Sequence, residues 1–344
     1  MMGHVLGGNL DENLVQVEAF PLATPQPPKR GVHWVFVGAE GLRAGWGVLL
    51  FVLLFLGFGY LTARVVRHFH HPGHPSAVFP LRLALISESS QLVPLLLATA
   101  IMALVERRSL LAYGYQDKAR AVRFVSGLIW GFVALSALVL VLWKAGLLGF
   151  DGVQLHGVAV WKYALGWALL FLLVAVFEES TLRGYLQFTL ARGIGFWWGA
   201  LLLSCLFGFS HGTNPGETPV GLFGAAAIGL VFCLSLWYTG SLWWPLGCHA
   251  SWDWAESYFY GTSDSGLMAQ GHLFGEHPMG PRLWSGGTTG PEGSLLALLL
   301  VAVMALGMWL WWGRRVESPF SGSGWRPAWI KAGHRKPAED SPTP

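Results

Sequence analysis

The chain has 344 residues, of which 53% are hydrophobic and 12% charged, with a formal net charge of +3 and a mean hydropathy of +0.48. Soluble domains carry about 25% charged residues, so this composition excludes an ordinary soluble enzyme. It implies an all-α fold: a polytopic membrane helical bundle whose natural partner is the lipid bilayer. No nucleic-acid-binding module is present, and no nucleic-acid partner is expected. Cys205, Cys233 and Cys248 are odd in number, lack CxxC spacing and lie in apolar stretches, which favours core packing over a disulfide framework.

Residues 1–44 form a polar N-terminal segment with Pro21, Pro25, Pro27 and Pro28 ahead of Lys29 and Arg30. No continuous apolar stretch follows the first methionines, so a cleaved signal peptide is not expected. The transmembrane domain spans 45–313. A spanning helix needs about 20 mainly apolar residues, and reading by apolar length gives about eight transmembrane helices. They cover 45–63, 83–105, 124–146, 160–177, 196–211, 219–239, 241–259 and 294–313. The second contains Glu88, Gln91 and Pro94. The fourth continues as helix through Glu178, Glu179 and Arg183 to Arg192 and Gly193, where glycine can cap it. The fifth is short and runs into Ser210 and His211. The seventh carries His249, Asp253 and Glu256. A basic tail over 314–344, rich in Pro, Ser and Gly, reads as solvated.

An even number of spans puts both termini on one side. Lys29, Arg30, Arg43, Arg107, Arg108, Lys118, Arg120 and Arg123 share that side with the basic tail, so both termini are expected in the cytoplasm, across a bacterial inner membrane.

Three polar islands interrupt the apolar pattern. In VFEESTLRGYLQ (176–187), Glu179 and Arg183 are four apart and share a helix face, where they can pair. Glu178 is rotated by about 100° and stays free to exchange protons. The second island is FGFSH, Phe207 to His211. The third is HASWD, in which His249 and Asp253 again share a face, so that the carboxylate can orient the imidazole. Taken singly, the islands read as an interfacial helix end, a packed histidine and a helix-locking polar pair. Each ionisable group in a membrane costs on the order of a few kcal/mol. The least costly arrangement converges all three on a central polar cavity. Two carboxylates, two histidines and an aspartate form a set suited to proton transfer or to metal binding, and both serve hydrolysis.

Three motifs in this order, EExxxR (Glu178, Glu179, Arg183), FxxxH (Phe207, His211) and HxxxN/D (His249, Asp253), resemble those of the CPBP intramembrane proteases. That family includes the CAAX prenyl endopeptidases and the bacterial Abi proteins, and Gly184-Tyr185-Leu186-Gln187 also looks like it. The resemblance covers a catalytic core over roughly 124–260. It implies a hydrolase, an intramembrane endopeptidase acting on a membrane-embedded or lipid-modified peptide or protein. Glu178 with His211 would activate water. His249 and Asp253 would bind the oxyanion or the scissile carbonyl, and Glu179, Arg183 and Phe207 would support them. Position 253 is Asp where many members have Asn. An ionised carboxylate repels an oxyanion, so Asp253 must be protonated, orient His249 or hold a metal. No cofactor is favoured. Zinc is the alternative, held by Glu178, His211, His249 and Asp253.

The competing classes are a proton-coupled transporter, which would use the same groups as a relay, and a non-enzymatic immunity or scaffold protein. The histidines of HFHHPGH (His68, His70, His71, His74) read as an ordinary loop. Glu88 reads as a structural hydrogen-bonding group that can face the cavity. The long loop over 261–293, with His272, Glu276 and His277, is either a lid over the cavity or disordered.

Overall fold

The computed structural model describes residues 33–38, 41–69, 78–313 and 315–321. Eight long helical segments follow one another: α1 (Ala44–Phe69), α2 (Leu81–Glu106), α3 (Arg120–Lys144), α4 (Val158–Gly193), α5 (Phe196–Ser210), α6 (Pro219–Thr239), α7 (Trp243–Asp253, continued as a π-helical stretch over Trp254–Tyr260) and α8 (Leu295–Trp312). They coincide with the eight segments expected from sequence. Six of them, all except α5 and α7, are long and apolar enough to cross a membrane. The chain is therefore an integral membrane protein in which two helices have another task. With 15 residues, α5 reaches only about 22 Å at 1.5 Å per residue, short of the roughly 30 Å hydrocarbon layer. The seventh helix is diluted by His249, Asp253 and Glu256.

Local chemistry sets several boundaries. Thr218 caps α6 by accepting from the Gly221 amide, with Pro219 in its first turn, and Gly240 closes it in the left-handed conformation. Ser294 caps α8 through the Ala297 amide. Large side chains such as Leu53, Leu56 and Tyr60 on α1 and Leu299 and Trp311 on α8 are well exposed, as lipid-facing surfaces must be.

The most intimate helix pair is α3 with α7. A Cβ at Gly127 would fall 2.3 Å from the Trp244 carbonyl oxygen, one at Gly131 2.1 Å from that of Cys248, and one at Gly247 2.2 Å from that of Phe124. This is the close approach that small residues four apart allow in membranes. It clamps α7 on the turn before His249. Behind the pair, Leu135, Leu138 and Leu142 of α3 pack with Val231, Phe232 and Cys248 in one core cluster.

The segment between α7 and α8 is ordered, so the disordered alternative for 261–293 is set aside. Met268–Ala269 pairs in parallel with Val78–Phe79, and Phe274–Pro278 pairs antiparallel with Leu148–Val153. The start of the expected solvated tail is packed. The Ser318 hydroxyl donates to the Trp237 carbonyl, and Phe320 meets Phe196 with ring centroids 4.6 Å apart. Sequence reading missed this because composition averages over the tail, whereas one phenylalanine anchors its beginning. His70, His71 and His74, the first 32 residues and most of the tail lie outside the described residues.

Candidate active site

The fourth helix changes character just after the two glutamates. Residues Ser180–Leu186 form a π-helical stretch, with Gly184 outside helical geometry (φ −82, ψ −119). Insertions of this kind are frequent at functional sites. A second π-helical stretch, Trp254–Tyr260, begins immediately after Asp253. Both helices that carry paired polar residues are thus re-phased at the site.

Glu179 and Arg183 are completely buried and paired, with Arg183 Nη1 3.1 Å from Glu179 Oε1. The same Oε1 lies 3.0 Å from His249 Nδ1, which makes Nδ1–H the donor. At this nitrogen the histidine is therefore oriented by Glu179, in addition to the contact with Asp253 that its spacing implied. The i,i+4 rule sees only one helix, whereas the acceptor for Nδ1 comes from another. Asp253 instead faces the opposite ring nitrogen: its Oδ2 is 3.4 Å from His249 Nε2, with Glu178 Oε2 at 3.5 Å. Among the described residues Glu178 has no arginine partner, and it is partly open to the cavity.

Aromatic rings complete the support. The guanidinium of Arg183 lies over Phe207 (4.6 Å) and Phe232 (5.7 Å), a charge stabilised by ring faces where water is excluded. Phe207 also meets the His211 ring edge-on at 4.7 Å. Phe232 stacks on the His249 ring at 5.6 Å. Nothing in its apolar surroundings marks Phe232, so sequence reasoning missed it. A Cβ at Gly229 would fall 2.4 Å from Arg183 Nη2, so the glycine makes the room that the buried guanidinium occupies.

His211 ends α5. Its Nδ1 is 2.8 Å from the Phe207 carbonyl oxygen, so Nδ1–H donates and Nε2 is left as an acceptor. A cavity of about 320 Å³ is lined by Glu178, Phe207, His211, His249 and Asp253 together with Glu88, Asp264 and Glu292. Five of the seven residues singled out from sequence line it, and Glu179 and Arg183 lie behind them. Glu88 both faces the cavity and accepts from Gln91 Nε2 at 2.9 Å. Ser265, Leu267, Met268 and Ala269 of the 261–293 segment form part of the wall. His272 is bound to the Ala269 carbonyl and His277 to Asp151. Neither they nor Glu276 line the cavity. Burial, with Asp253 and Glu292 beside it, pushes the Asp264 carboxyl well above the ordinary carboxylate range.

Among the described residues, the group of three or more His, Cys, Asp or Glu side chains whose ligand atoms come within 4.8 Å of one another is Glu256, Asp264 and Glu292. Glu178, His211, His249 and Asp253 do not gather to that separation. His249 presents one nitrogen to Glu179 and the other to two carboxylates.

Carboxylates and imidazoles thus line one cavity recessed among the helices. A model of the family described as type II CAAX prenyl endopeptidase, Rce1-like, matches residues 160–255. That stretch contains all three polar islands, and the match supports an intramembrane endopeptidase of the CAAX type. No curated protein matches the chain.

Proposed function

We propose that the protein hydrolyses a peptide bond of a membrane-associated, lipid-modified protein or peptide, and that it does so by glutamate-dependent activation of water. The observation that carries the reading is the cavity in which Glu178, His211, His249 and Asp253 face one another. Among the described residues Glu178 pairs with no lysine or arginine, only with His249 Nε2 at 3.5 Å, and its partly open carboxylate can take a proton from water. His211, with Nε2 as acceptor, helps to orient that water, and the proton held on Glu178 passes to the leaving amine. His249, held through Nδ1 by the Glu179–Arg183 pair, turns Nε2 towards the scissile carbonyl. A proton there is donated to the developing oxyanion. Asp253 shares that position and acts as a protonated acid or holds the imidazole in place. The family's name is the support for a prenylated substrate.

We further propose that the protein resides in a bacterial inner membrane with both termini in the cytoplasm. Six spanning helices or eight are both even, so the termini share a side. The lysines and arginines of the loops mark that side as the cytoplasm, and reporter fusions at each terminus test it. The function is tested with purified protein and a lipidated peptide. Cleavage is expected to be lost in Glu178→Gln and in His211→Ala with the fold retained, and cleavage that survives both changes refutes the assignment.

A further inference from the structure

Three carboxylates meet where the ends of the 261–293 segment join the helices. They are Glu256 on the π-helical end of α7, Asp264 at the start of the segment and Glu292 at its close. One oxygen from each lies within 4.8 Å of the others. Glu256 is fully buried. Its Oε2 accepts from Trp252 Nε1 at 3.0 Å, but its Oε1 is buried with no hydrogen-bond partner. That orphan oxygen points towards the segment's closing turn, since a Cβ at Gly290 would fall 3.2 Å from it. Asp264 accepts from the Ser257 hydroxyl, and Glu292 from the Ser265 amide and hydroxyl. No lysine, arginine or histidine pairs with any of the three among the described residues.

A buried carboxylate oxygen without a donor is among the most costly groups a protein can hold. The side chain that bears it meets two further carboxylates and, among the described residues, no protein cation. We infer that these three side chains form a calcium site. The donors are all oxygen, which selects a hard cation over zinc or copper. Calcium takes flexible all-oxygen ligand sets with several carboxylates, whereas magnesium demands near-ideal octahedral geometry and is usually held by only one or two carboxylates. Asp264 and Glu292 also line the cavity, so an ion here has a path from water and remaining positions for water ligands. Its effect is mechanical: it fastens both ends of the 261–293 segment to α7 and fixes the wall of the cavity that this segment forms. The site is separate from the groups assigned to water activation and stands whether or not that assignment does.

The test uses the full chain in detergent, stripped of divalent ions and titrated with terbium, a luminescent calcium substitute. Trp252, bonded to Glu256, is the sensitiser. Saturable terbium emission is expected, displaced by calcium far more readily than by magnesium. Asp264→Asn combined with Glu292→Gln is expected to weaken it by about tenfold or more, because two of three charged ligands are gone. Glu178→Gln is expected to leave it unchanged, and circular dichroism confirms that each variant is folded. Should folding fail in the double variant, Asp264→Asn alone serves. The inference is overturned by absent emission, by emission insensitive to these substitutions, by equal loss in Glu178→Gln, or by displacement that favours magnesium.

Discussion

Replacing Glu179 by Gln removes a charge from a completely buried ion pair while keeping its shape. The carboxylate oxygen Oε1 serves two donors, Arg183 Nη1 at 3.1 Å and His249 Nδ1 at 3.0 Å. At an effective dielectric of about 20, two unit charges about 3.1 Å apart attract by about 5 kcal/mol. Removing one partner of a buried pair costs about 3–5 kcal/mol, because the other charge is left uncompensated. Glu179→Gln is therefore expected to destabilise the protein by about 3–5 kcal/mol, and cleavage should fall with it. The assay is reversible unfolding in mixed micelles, read beside peptide cleavage. A paired change, Glu179→Leu with Arg183→Met, separates the two effects. Replacing both ions by apolar groups is often neutral for stability, so that variant should recover stability and still fail to cleave, since His249 has lost its acceptor. A loss below about 1 kcal/mol in Glu179→Gln, the value of an exposed pair, refutes the argument, as does restored cleavage in the double variant.

Gly131→Leu drives a side chain into the Cys248 carbonyl 2.1 Å from where its Cβ would stand. Overpacking of this kind costs about 1–3 kcal/mol or more, and thermal unfolding with cleavage kinetics should show both falling as α7 is displaced. Asp253→Asn supplies an amide donor where the carboxylate stands. It is expected to keep most of the cleavage rate, whereas Asp253→Ala loses it; equal loss in both would show that the carboxylate itself is required. Glu276, outside the membrane helices, has its carboxyl raised by burial to about 7 from 4.5. A raised carboxylate pKa means that the folded state binds the proton more tightly than the unfolded chain. Its contribution is thus most favourable below about pH 4.5 and is lost as pH rises through about 7. Melting temperatures measured across that window should decline less in Glu276→Gln than in the wild type.

The helices were legible because hydrocarbon imposes a length and a composition on whatever crosses it, and all eight segments appear at the expected positions. The Glu179–Arg183 pair was legible for a similar reason: i,i+4 spacing on one helix is a geometric fact available to sequence. What escaped was whatever depends on two helices at once. The acceptor for His249 Nδ1 lies on α4, seventy residues away. Phe232 looks like any other residue of an apolar span until it stacks on His249. Glu256 was read only as an impurity in the seventh span. Asp264 and Glu292 fell in a stretch whose glycines read as a loop, so their meeting required the fold. The π-helical stretches are nearly as silent, since WAESYFY is helix-compatible throughout and in STLRGYL only Gly184 weakens the helix.

That silence has a consequence for how α4 is built. Before its π-helical stretch, Glu178 and Glu179 face His249. At its end and beyond it, Tyr185 and Arg192 turn to Glu106 on α2, with the Tyr185 hydroxyl 2.8 Å and Arg192 Nη2 3.1 Å from its carboxylate. The wide turn works as a coupling between two shafts set at different angles, so that one continuous helix meshes with two partners. Deleting a single residue from Ser180–Leu186 would rotate everything downstream by about 100°. Either the glutamates or Arg192 would then lose its partner, although no functional side chain had been altered.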